Sequence, residues 1–151
     1  MISMERRIAI IADIHGNYTA LKAVQNDIRK QNVNECWFLG DLFMPGPGAT
    51  DIWEILESLN PSICLRGNWD DDLVQAYYGQ HSYDDETKVM ISRVGEYIGS
   101  QVGARIINQI SEWPITADTK VGALHITLSH NLPKNNSGQG LFPTNTQQQM
   151  D

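Results

Sequence analysis

The chain has 151 residues, 41% of them hydrophobic, a length and composition that fit one soluble domain with its own core. Its net charge of -7 excludes non-specific nucleic-acid binding, which rests on clustered Lys and Arg, but not a small phosphorylated substrate approached through metal ions. No apolar run is long enough to span a bilayer and "MISMERRIAIIADIHGN" has no signal-peptide cleavage pattern, so no membrane is expected, and a cytoplasmic location is.

Short β-branched runs alternate with helix-period segments, the pattern of βαβ units and a largely parallel sheet. "RIAIIA" is the first strand, and "YTALKAVQNDIRKQ" a helix with Ala20, Leu21, Val24 and Ile28 on one stripe. "ECWFLG" is the second strand. After the loop "MPGPGA", Thr50 with Asp51 and Glu54 starts a helix "DIWEILESL" that buries Ile52, Ile55, Leu56 and Leu59. "SICLRG" is the third strand. From about Trp69 to Glu112 two or three helices are expected, broken by "GQHSYDDE", and "ITADTKVGALHITLSH" reads as a hairpin. Residues 1–151 form a single domain, of which 133–151, rich in Asn, Gln, Gly and Ser, read as loop or disordered tail. Cys36 and Cys64 lie inside strands and read as core thiols in a reducing compartment.

In an open parallel sheet, ligands bind beyond the carboxyl ends of the strands. Here the strands end in "ADIHGN", "LGDLFMPGP" and "RGNWDD", each carrying metal-compatible residues. Asp13 and His15 are two apart, so strand alternation can point both one way while Ile14 turns inward. Asp41 has two oxygens with which to bridge two cations, Asn68 offers a neutral carbonyl oxygen, and His130 an imidazole from a further strand end. Oxygen and imidazole donors without thiolate suit Mn, Fe or Zn at a hydrolytic site better than a structural zinc or a calcium cage.

"DIHGN", "GDLFMPGP", "GNWDD" and "SHN" stand in the order and approximate spacing of the calcineurin-like metallophosphoesterases, and the chain most resembles their small single-domain phosphodiesterase branch over nearly its whole length. The resemblance implies an α/β fold, a sandwich of two β-sheets flanked by helices. It implies two divalent metal ions, manganese first with iron, zinc or nickel as alternatives. Asp13, His15 and Asp41 would hold one, and Asp41, Asn68 and His130 the other. The implied activity is hydrolysis of phosphodiesters, with phosphomonoesters as an extension, by a hydroxide that the two metals activate. Asp41, Asn68 and Asp70 are the expected catalytic residues, and Asn17 either contacts the substrate phosphate or caps its helix. Trp69 stands where many family members carry a histidine assigned as leaving-group acid, which favours aryl over alkyl esters. The family pattern closes with a "GHxH" segment whose two histidines complete the metal shells. None follows Asn131, so the fold is expected to be incomplete at its C-terminus, with an exposed edge that favours homo-oligomers. Two rivals stand beside the enzyme: a binding module on the same fold, as in the retromer scaffold subunit, and a truncated product without its own function.

Other residues take plainer roles. His125, five positions before His130, faces the other side of a regular strand and reads as structural, and His81 as solvent-exposed. "GPG" lacks the Lys and Ser or Thr of a P-loop and reads as a shaped connection. Trp69, Ile106, Ile107 and Ile110 read as core, and Asp71 and Asp72 as solvated charges at a helix start.

Overall fold

In the computed structural model, which describes residues 6–80, 84–138 and 146, the β-branched run after Arg7 forms β1 (Ile8–Ile11). It pairs in parallel with β2 (Glu35–Phe38), which pairs in parallel with β3 (Ile63–Cys64). Parallel neighbours need a crossover, and α1 (Tyr18–Lys30) and α2 (Thr50–Leu59) supply them. Two helices follow, α3 (Asn68–Tyr77) and α4 (Glu86–Ser111), the second kinked at Gly103, whose φ of 78° is left-handed. The hairpin is β4 (Thr116–Val121) and β5 (Leu124–Ser129).

Alternation along β2 divides the molecule into layers. Phe38 points into a core built with Ile52, Leu56, Leu73, Ile107 and Ile110 from the helices. Trp37, one residue earlier, points the other way and packs with Leu65 against Leu128 of the hairpin. Two sheets thus lie face to face with helices over the parallel one, the expected α/β sandwich. Ile106, Ile107 and Ile110 are buried as expected. Cys36 and Cys64 are free, and burial pushes both thiols up, Cys64 to about 11. Among the described residues no helix is long and apolar enough to cross a membrane.

The expected stripe of α1 is rotated. Leu21 is buried, but Val24 is 40% exposed and Gln25 takes its place inside, where its side-chain amide donates to Ser58 of α2. The cause lies in the sheet: β1 is its edge strand among the described residues, so nothing there covers Val24 or Ile10, which is 55% exposed. In α2 the N-cap position falls on Ala49, not Thr50, with Asp51 Oδ1 accepting from the amides of Ala49 and Ile52, and Trp53 joins the buried face. The expected tail is not wholly free. Asn136 is buried, and its Nδ2 donates to Gly67 O at 3.1 Å and to Asp71. Asp71 also pairs with Arg66, so it is no solvated charge. His81 and the remainder of the tail, 139–145 and 147–151, lie outside the described residues.

Candidate metal centre

β1 ends at Ile11, two residues short of Asp13, so strand alternation is not what aims Asp13 and His15. Both residues are left-handed, φ 53° and 48°, and between them Ile14 turns into the core. Their amides bond the neighbouring strand exit: Asp13 N donates to Gly40 O and His15 N to Asp41 O, each at 3.0 Å, and Gly16 N to Leu42 O at 2.9 Å. Asp41 is itself left-handed, φ 63°. The "GPG" loop closes over this turn without any phosphate-loop geometry; Gly48 N donates to Gly16 O, and a Cβ on Gly46 would lie 2.8 Å from the His15 carbonyl carbon.

Four side chains converge as a result. His15 Nε2 lies 3.3 Å from Asp13 Oδ1 and 3.9 Å from Asp41 Oδ2, and His130 Nε2 lies 3.2 Å from the same Asp41 oxygen. One ligand atom each from Asp13, Asp41 and His130 falls within 4.8 Å of the others. Behind each ring a backbone carbonyl meets Nδ1, Met44 O for His15 and Leu39 O, at 2.8 Å, for His130. That contact places the proton on Nδ1 and frees Nε2 to face the carboxylates, the arrangement of a metal-ligating histidine. The Asp41 hydrogen bond, against the opposing effect of burial, lifts His130 to about 9. Two carboxylates and the His130 imidazole around one point, with the oriented imidazole of His15 beside them, fit a divalent cation of borderline hardness.

The other expected site residues are placed less uniformly. Asn68 is the first residue of α3, half-buried, and its side chain makes no hydrogen bond to another described residue. Asn17 caps α1, its Oδ1 accepting from Ala20 N at 3.0 Å. Trp69 packs against the helix-side core as expected, and its ring also meets His15 edge-on at 6.2 Å. Asp70 requires a correction. It is 1% exposed, and its two oxygens accept from the amides of Asp41, Leu42 and Gly67 at 2.8, 3.0 and 2.9 Å. A carboxylate so enclosed cannot touch substrate; it clamps the backbone beneath Asp41. Burial, opposed by those amides, pushes it up to about 6. His125 is exposed on β5, and its side chain makes no hydrogen bond to another described residue. Sequence reasoning missed the Leu39 and Met44 carbonyls and Asn136, since no side-chain type marks an orienting carbonyl.

Residues 6–149 match the family model of the calcineurin-like phosphoesterases. The chain belongs to that family. Its segments resemble the symmetrical bis(5'-nucleosyl)-tetraphosphatase of Sodalis glossinidius, 36% identical over 72 residues, 46% of this chain and 26% of that protein. Among solved structures, a metallophosphoesterase from Sphaerobacter thermophilus aligns with TM-score 0.57 at 30% identity, over 74% of this chain and 43% of that one. A hypothetical protein from Pyrococcus horikoshii aligns with TM-score 0.72 at 18% identity, over 94% and 61%, and shows the shared fold. The chain spans about a quarter, 26%, of the length of the curated relatives it matches.

Proposed function

We propose that this chain carries the centre of a metal-dependent phosphodiesterase holding two divalent ions, manganese first. The observation that carries the reading is the convergence of His15 and His130 Nε2 on Asp41 Oδ2, with a carbonyl behind each ring. Asp13, His15 and Asp41 would hold one ion, and Asp41, Asn68 and His130 the other. When bound, such ions lower the pKa of water and neutralise charge on phosphoryl oxygens.

Hydrolysis forms a bond from a water oxygen to phosphorus and breaks the bond from phosphorus to the leaving oxygen, with the water proton passing to solvent. The chain's own part is to fix positions. Trp69 N donates to Asp41 Oδ1 at 2.9 Å, which holds that carboxylate while Oδ2 faces the imidazoles. The Trp69 side chain has no titrating proton for the leaving oxygen, so aryl esters, which leave as stable anions, should be favoured. The resemblance to a tetraphosphatase supports cleavage at phosphorus–oxygen bonds.

The test is hydrolysis of bis(p-nitrophenyl) phosphate by EDTA-treated protein against added Mn, with Asp41→Asn prepared identically. Mn-dependent turnover that vanishes in the variant is expected. Equal rates in the two proteins would refute the reading.

A further inference from the structure

His15 has a second neighbourhood besides the carboxylates. A groove of about 490 Å³ opens at its ring and runs between the first turns of α1 and α2, lined also by Asn17, Tyr18, Thr19, Pro47 and Asp51. That volume is within the range that holds a ring-bearing small molecule.

Two helix starts would ordinarily offer amides to an anion. Here many are already engaged: Ala20 N by Asn17 Oδ1, Ala49 N and Ile52 N by Asp51 Oδ1, Gly48 N and Tyr18 N by Gly16 O. The lining includes no Lys or Arg, and its charged member is a carboxylate, Asp51. A phosphate chain entering the groove would meet a like charge with no Lys or Arg to offset it, and would rely on the neutral donors of Asn17, Tyr18 and Thr19. A neutral ring meets something else: Tyr18, 42% exposed, offers an aromatic face, and the second oxygen of Asp51 can accept from a hydroxyl or amino group.

We propose that this groove is the subsite for one ester arm of the substrate, and that Tyr18 and Asp51 select a nucleoside-like neutral ring against a polyphosphate chain. The role as a substrate subsite rests on the phosphodiesterase reading above; the ring selectivity rests on the groove. A nucleoside arm would stack on Tyr18 while its phosphodiester group reaches His15, so the groove sets binding and the metal centre sets chemistry.

Binding of adenosine to EDTA-treated protein, followed by saturation-transfer NMR, tests the subsite without turnover. Transfer to the adenine protons is expected, with affinity about tenfold weaker in Tyr18→Ala, the scale of one base stacked on one aromatic ring. Tyr18→Phe should restore it, and inorganic tripolyphosphate should not displace it. No transfer in the wild type, an unchanged affinity in Tyr18→Ala, or displacement by tripolyphosphate would each overturn the proposal. Adenosine binding that depends on Tyr18, in a protein without Mn-dependent turnover, would sink the hydrolase reading and its ester-arm role while leaving the ring-selective groove standing.

Discussion

Gly67→Ala should damage the metal centre by geometry alone. Gly67 has φ -87° and ψ -179°, a conformation open to alanine, so no backbone strain arises. The new Cβ would lie 2.8 Å from both Asp41 Cγ and Asp41 N, and nearer still to Oδ1. Carbon atoms pack at about 3.5–4.0 Å, so the overlap is most of an ångström. Asp41 cannot easily yield, because Oδ1 accepts from Trp69 N and its amide donates to Asp70. Overpacking costs about 1–3 kcal/mol, and losing the bond to the carboxylate adds about 1.5–3 kcal/mol. A total of about 2.5–6 kcal/mol is therefore expected, readable as a lower urea midpoint at unchanged slope. Mn affinity should fall about 10- to 100-fold, as when the support of a ligand is lost. Gly79→Ala is the control: φ is 67°, yet nothing lies within 4 Å of its Cβ, so backbone strain costs it only about 1–2 kcal/mol of stability and it keeps its Mn affinity. A Gly67→Ala protein with wild-type midpoint and Mn affinity would refute the close approach of the β2 and β3 exits.

Three further outcomes are expected. In EDTA-treated protein the raised His130 contributes stability in full below pH 6.5 and loses it as pH climbs through about 9, worth about 3 kcal/mol for a side chain 9% exposed. Mn affinity should run oppositely, rising between pH 6.5 and 9 because the ion displaces that proton; a flat melting profile together with pH-independent titrations would count against the His130–Asp41 contact. Trp69→His should raise the ratio of alkyl to aryl phosphodiester hydrolysis roughly tenfold or more by restoring a general acid, and an unchanged ratio would show that leaving-group protonation is not what Trp69 withholds. Light scattering should show concentration-dependent self-association through the β1 edge, suppressed by Ile10→Lys; a wild-type monomer at all concentrations would remove the edge as its cause.

Much of the fold was legible because its signals are local. The β-branched runs and the helical stripe through Ile106, Ile107 and Ile110 need no knowledge of neighbours, and both were read in place. Val24 and Gln25 exchanged roles because burial depends on what stands across from a face, which lies far away in sequence. The same divide runs through the site. Asp13, His15, Asp41 and His130 announced themselves as donor types at strand ends, and the structure brings all four together. Asp70 was misread because its residue type fits both catalysis and clamping, and only the three amides around it decide. Asn136 carried no signal at all, since an amide in a polar segment says nothing of the Gly67 carbonyl it will meet.

Asp13, His15 and Asp41 share a property that links fold to site: all have positive φ. For residues with a Cβ the left-handed region costs roughly 1–2 kcal/mol each, and such strain persists only where the surroundings enforce it. Enforcement here is the ladder of amides from Asp13, His15 and Gly16 onto the carbonyls of Gly40, Asp41 and Leu42, secured below by Asp70. The bonds that offset the strain are thus the bonds that aim the ligands, so the two strand exits act as one unit. Asp41→Asn leaves that backbone unit whole and changes the donor, whereas Gly67→Ala keeps every donor and breaks the unit. A comparison of the two separates the chemistry of the carboxylate from the geometry that presents it, and loss of Mn binding in the second alone would show that placement, more than charge, holds the ion.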